Sequence, residues 1–249
     1  MNHRTWYLVL VLSLVLFSVL SYSAQILIFR KPEDTFFYLM QDIAFLPIQV
    51  LIVTFIINEL LTRREKLSMI KKLNMVIGVF FSELGNGLIH KLFEFDNKLD
   101  ELRTHLIITD KWSRQDFDNA TKLVKSFAYG VDSKKGHLEG LKLFLSEKRP
   151  FLLTLMENPN LLEHEAFTDL LLAVSHLTEE LLARTDIKAL PKHDLDHLSV
   201  DIKRAYAAII TEWLAYMRHM KEDYPFLYSF AVRTNPFNPE ASPEIKYTG

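Results

Sequence analysis

Residues 8–29 read LVLVLSLVLFSVLSYSAQILIF, 22 positions without a charge. A helix of about 20 mostly apolar residues crosses a hydrocarbon core of about 30 Å, so this run predicts a transmembrane helix. Trp6 and Tyr7 stand at its head and Arg30 and Lys31 close its tail, where amphipathic rings and cations meet a membrane surface. The segment Lys31-Pro32-Glu33-Asp34 reads as a turn in which Asp34 can cap the next helix, and a second apolar run fills residues 36–61. Residues 1–61 are therefore expected to form a transmembrane hairpin with spans at about 7–29 and 36–61. A cleaved secretory signal peptide is the competing reading of the first run, with Arg4 ahead of it and Ser21 and Ser23 as the small residues before a cleavage site. The apolar run continues through residues 26–29 past that site, which favours the span.

Composition supports a two-part chain. Only seven of the 29 basic and 31 acidic residues lie in residues 1–61 (Arg4, Arg30, Lys31, Glu33, Asp34, Asp42 and Glu59), so the remainder is densely charged. The absence of cysteine excludes a disulfide framework, a thiolate metal site and a cysteine nucleophile. A net charge of −2 argues against a nucleic-acid partner.

Orientation follows from where the cations lie. Arg63, Arg64, Lys66, Lys71 and Lys72 follow the second span, whereas the connection between the spans balances Arg30 and Lys31 with Glu33 and Asp34. Excess Lys and Arg mark the cytoplasmic side, so a multi-pass protein of the cell (inner) membrane with both termini cytoplasmic is expected. The five collar cations are assigned to anionic lipid head groups. Asp42 lies in the second run and shares a helical face with Gln49, and Pro47 removes a helix hydrogen bond nearby. A carboxylate in such a run marks an intramembrane polar site, here Asp42, Pro47 and Gln49, or else an interfacial anchor.

Beyond the collar, Leu67, Ile70, Asn74, Ile77, Phe81 and Leu84 recur with the three–four alternation of a heptad. This predicts a coiled-coil oligomer seam in which Asn74 sets register. An amphipathic helix of an intramolecular bundle is the alternative, because Val76, Val79 and Phe80 widen the stripe. Gly85-Asn86-Gly87 is read as the first break, followed by one helix through Leu88, Leu92, Phe95, Leu99, Leu102 and Leu106. Ser113 and Asp116 form a capping-box pattern opening a helix to Phe127. Further helices are expected around 138–148, restarting at Pro150 to Met156, then after the Asn158-Pro159-Asn160 turn to about Arg184 with Leu162 in its core, and from about Asp194 to Glu222. No period-two run is present, so residues 62–232 read as a cytoplasmic all-α domain and residues 233–249 as an extended or disordered tail, with Asn235-Pro236-Phe237 as a possible docking tripeptide for a soluble partner.

Three pairs one helical turn apart, His90/Glu94, His176/Glu180 and His193/His197, have the spacing by which helical bundles present ligands to a di-iron centre. The neighbours of these pairs are of solvent type and His193 falls close to Pro191, so no metal and no cofactor is expected. Nucleophile elbows and phosphate-binding glycine loops are absent. The sequence thus points to a non-enzymatic, homo-oligomeric membrane protein, channel-like or a signalling scaffold, whose cytoplasmic helical domain senses a ligand or partner. A membrane-tethered metallo-bundle of di-iron or hemerythrin-like type and a passive anchor for a soluble partner are the alternatives.

Overall fold

The computed structural model describes residues 3–159, 161 and 164–244, and for residues 3, 4, 67 and 71 the backbone alone. The protein is all-α. Among the described residues there is no strand, only an isolated bridge between Asp96 and Val131. The chain divides into two compact units, Met1–Lys66 and Leu67–Gly249.

The first unit holds α1 (His3–Phe29) and most of α2 (Pro32–Phe80). Two residues connect them. Arg30 adopts a left-handed φ of 51° and its N–H donates to Ile26 O at 3.0 Å, the geometry that ends a helix within one residue. Glu33 and Asp34 occupy the first turn of α2, where carboxylates meet the positive end of the helix dipole. Both helices are long and apolar enough to cross a membrane. Within the first unit nearly all of their large apolar side chains are exposed: Phe17 is 71% exposed and Phe55 73%.

In the second unit the anticipated break at Gly85-Asn86-Gly87 does not occur. The chain passes through one π turn, Phe81–Gly85, straight into α3 (Asn86–Phe93). Gly85 is there for room rather than for a turn: a Cβ on it would lie 2.5 Å from Phe81 Cδ1 and 3.0 Å from Phe80 Cε1, both rings being fully buried. The widened turn directs these adjacent rings into the core together. Phe80 meets Phe167 edge-on at 5.2 Å and Phe81 stacks on Tyr216 at 5.2 Å.

This packing corrects the oligomer seam. Ile77, Phe81 and Leu84 are covered by the chain's own helices, so the broad apolar stripe serves an intramolecular bundle. Of the other seam positions, Ile70 is exposed, Asn74 half-buried, and Leu67 lies outside the described side chains.

The helix expected through 88–106 is two, because Asp96 turns the chain. Its Oδ1 accepts from the N–H of Lys98 at 2.9 Å and of Gly130 at 3.1 Å, after which α4 (Leu99–Leu106) begins. The Ser113/Asp116 capping box is present and opens α5 (Arg114–Ser126). Pro150 does not restart a helix; α6 (Leu138–Met156) runs through it. Asn160 and Leu162 lie outside the described residues. α7 (Glu165–Ala183), α8 (Lys192–Asp223) and α9 (Pro225–Arg233) complete the unit. α8 is its axis, in contact with α3, α5, α7 and α9, which is why Leu198, Ile202, Tyr206, Ile209, Ile210 and Trp213 on several of its sides are all buried.

The tail expectation also changes. Asn235, Pro236 and Phe237 are buried rather than free. Asn235 Nδ2 donates to Leu106 O at 2.8 Å, and the Phe237 ring sits 4.9 Å from Trp213 and 5.2 Å from Phe93. Residues 245–249 lie outside the described residues.

Candidate functional site

Among the described residues, a dense group of interacting ionisable side chains spans α7 and α8. Arg184, just past the end of α7, donates Nε to Asp194 Oδ2 at 2.8 Å and Nη2 to Asp194 Oδ1 at 2.6 Å, a bidentate pair with the first turn of α8. Its Nη1 reaches Glu180 Oε2 at 2.7 Å. These hydrogen bonds to the guanidinium hold the Glu180 and Asp194 carboxyls below the usual carboxylate range. The Arg184 clamp ties the end of α7 to the first turn of α8.

One turn further along, His176 of α7 faces His197 and Asp201 of α8. His176 Nε2 lies 3.6 Å from Asp201 Oδ1, and His197 Nε2 lies 3.2 Å from Asp201 Oδ2. Glu180 stands beside both imidazoles, at 3.9 Å from His176 Nε2 and 3.7 Å from His197 Nε2. The Asp201 side chain is 2% exposed, whereas those of His176 and His197 are 46% and 51% exposed. Arg204 Nη1 donates to Asp201 Oδ1 at 2.9 Å. Asp201 Oδ2 is buried and receives no hydrogen bond. Beside this group lies a surface hollow of about 460 Å³ lined by Asp169, Leu172, Ala173, His176, Arg204 and Ala208.

Comparison with known proteins places this architecture. Residues 69–233 match the family model described as Uncharacterized protein MJ1433, C-terminal helical domain, and residues 2–61 match MJ1433, N-terminal helical domain. The chain belongs to the MJ1433 family. The Uncharacterized protein MJ1433 of Methanocaldococcus jannaschii is 44% identical over 238 residues, 96% of each chain. No solved structure matches. The two MJ1433 domains divide at the same place as the two units, between residues 61 and 69.

Of the histidine pairs noted in the sequence, this MJ1433-family chain brings only part together. His176/Glu180 and His197 belong to the cluster. His193 is in the first turn of α8, exposed, and takes no part in the cluster. Glu94 accepts from the N–H of His137 at 3.2 Å and lies 3.9 Å from Lys91 Nζ, apart from His90 in both interactions. Sequence reading missed Asp201. The signal was present as His197-x3-Asp201, the same one-turn spacing, but only α7 against α8 shows that it faces His176.

The set Asp42, Pro47 and Gln49 is less concentrated. Tyr22 OH donates to Asp42 Oδ2 at 3.3 Å, joining α1 to α2, while Pro47 and Gln49 are exposed along α2. In the collar, Arg63 donates to Glu59 at 2.7 Å, Arg64, Lys66 and Lys72 are exposed, and the side chain of Lys71 lies outside the description. Asn74 borders a cavity of about 360 Å³ together with Gly78, Tyr216, His219 and Tyr224.

A second titratable feature of the C-terminal domain is Glu212, 4% exposed on α8. Burial pushes its carboxyl above the usual range, and His164 and Lys125 pull in the opposite direction. An acid whose folded-state pKa exceeds its unfolded value binds more protons when folded, so stability is fully present below about pH 4.3 and declines as pH rises towards the folded value. Glu212→Gln is expected to flatten that decline. Urea unfolding should find the variant more stable than wild type at about pH 8 and converging with it at about pH 4. A variant equal to or below wild type at the higher pH would contradict the assignment.

Proposed function

We propose that this MJ1433-family protein is a two-span protein of the cell (inner) membrane, with both termini cytoplasmic, whose C-terminal helical domain is a non-enzymatic receptor that binds a small ligand and assembles through the spans as a homo-oligomer in a signalling or scaffolding role. The observation that carries this reading is the exposure of nearly every large apolar side chain of α1 and of α2 up to Leu61. Leaving such surface in water costs about 25 cal/mol per Å², which a bilayer removes. The exposed collar cations at the end of the second run supply the orientation. With Ile77, Phe81 and Leu84 used inside the domain, the outer faces of α1 and α2, including the Tyr22–Asp42 pair, are the surfaces available for self-association.

The natural absence of cysteine makes the test direct. Membranes carrying Glu33→Cys or Lys122→Cys are extracted with alkaline carbonate, and separate samples of sealed cells with the same variants are treated with a membrane-impermeant maleimide. Retention in the pellet, labelling at position 33 and protection at 122 are expected. Release by carbonate removes the membrane reading, and the opposite labelling pattern reverses the orientation.

A further inference from the structure

We propose that His176, His197 and Asp201 bind one divalent transition-metal ion of zinc type. Binding at these residues stands independently of the membrane; only the ion's role as the ligand of the receptor rests on the function proposed above.

The spacing of the donor atoms makes the first argument. In a tetrahedral zinc site with bonds of about 2.0–2.1 Å, neighbouring ligand atoms stand about 3.4 Å apart. His197 Nε2 lies 3.2 Å from Asp201 Oδ2, close to that spacing, His176 Nε2 lies 3.6 Å from the same carboxylate's Oδ1, and one ligand atom from each of the three residues falls within 4.8 Å of the others. An ion fits among them with side-chain adjustments alone. His197 and Asp201 project from one face of α8 at a one-turn spacing and His176 from the facing helix, so two rigid elements hold the three donors.

Asp201 makes the second. A carboxylate at 2% exposure needs its oxygens satisfied, yet Oδ2 is buried and accepts no hydrogen bond. Arg204 holds the other oxygen, which is how a supporting partner orients a metal-binding carboxylate while leaving one oxygen for the ion. Glu180, held by Arg184, is positioned next to both imidazoles as the fourth ligand. The group is also short of positive charge: three carboxylates, Glu180, Asp194 and Asp201, face two guanidiniums, Arg184 and Arg204.

The donor set selects the metal. Two imidazoles with a carboxylate suit zinc and its first-row neighbours, whereas calcium and magnesium take all-oxygen ligation. The half-exposed imidazoles and the adjoining hollow leave a path for exchange, which suits an ion that comes and goes.

The test uses the full-length, untagged protein in detergent, with Zn²⁺ titrated against a chromophoric chelator. Wild type is expected to take up one ion per chain. His197→Ala and His176→Ala should each bind more than about a hundredfold more weakly, beyond the 10- to 100-fold loss typical of a supporting residue, and His90→Ala should bind as wild type does. Both cluster histidines are exposed, so their removal leaves the metal-free fold intact. Zinc should therefore raise the melting temperature of wild type and not that of His197→Ala, while the two match without metal. Equal affinity in wild type and the two cluster variants, or no uptake by wild type, overturns the site and leaves the histidines as ion-pair partners of Asp201. Carbonate extraction of the membranes, before each protein is solubilised, keeps the readings separate. Zinc uptake by a carbonate-released protein retains the site and removes the membrane function, and a retained protein without zinc uptake does the reverse.

Discussion

Phe237→Ala is expected to lower the unfolding free energy of the C-terminal domain by about 3–5 kcal/mol, the range for removing a fully buried aromatic ring. The ring is 0% exposed and wedged between Trp213 of α8 and Phe93 of α3, so its loss leaves a cavity at the centre of the bundle. Neighbouring backbone holds it there: the Phe237 N–H donates to Asn235 Oδ1 at 2.9 Å while Asn235 Nδ2 bonds Leu106 O at 2.8 Å. Urea unfolding followed by tryptophan fluorescence, to which Trp112 and Trp213 of this domain contribute, reports the change. Pro239→Ala, two residues on and exposed, should stay within about 0.5 kcal/mol of wild type. A loss below about 1 kcal/mol for Phe237→Ala would mean that the segment does not belong to the core.

The second large effect concerns Gly136. A Cβ at this position would lie 2.5 Å from Phe95 Cδ1, 2.5 Å from Cε1 and 2.7 Å from Cγ. Phe95 is 0% exposed, so its ring has no free space into which to retreat. Gly136→Ala is expected to cost about 1–3 kcal/mol through overpacking, and Phe95→Leu in the same chain should recover part of it by yielding ring volume. A thermal-melt comparison of the single and double variants measures the coupling. Additive losses would place the two residues out of contact.

Much of the helical plan is legible in the sequence wherever local chemistry decides the outcome. The Ser113/Asp116 pattern marks the start of α5 because both halves of a capping box are local hydrogen bonds, and α7 and α8 announce themselves through long 3.6-residue apolar periods. Expectations fail where a residue's role is set by side-chain packing rather than by its own backbone preference. Gly85 looks like a helix breaker, but the Phe80 and Phe81 rings require the space it leaves. Pro150 looks like a boundary, yet α6 carries straight through it. The proline-rich end looks free because its anchors, Asn235 and Phe237, meet Leu106 and Phe93, more than a hundred residues earlier, and Trp213. The same holds for the histidine cluster. Spacing along one helix shows His176 with Glu180 and His197 with Asp201, while the convergence of the two pairs depends on the contact of α7 with α8 and on the Arg184 clamp.

The two-residue link between α1 and α2, closed by Arg30, bears on the making of the chain. Nothing between the two helices can fold by itself, so α2 leaves the ribosome directly behind α1, and in the membrane arrangement proposed above both helices reach the bilayer within a few residues of one another. Reporter insertions there would part helices meant to travel as one cargo, which makes single-residue replacements the appropriate probes of that corner.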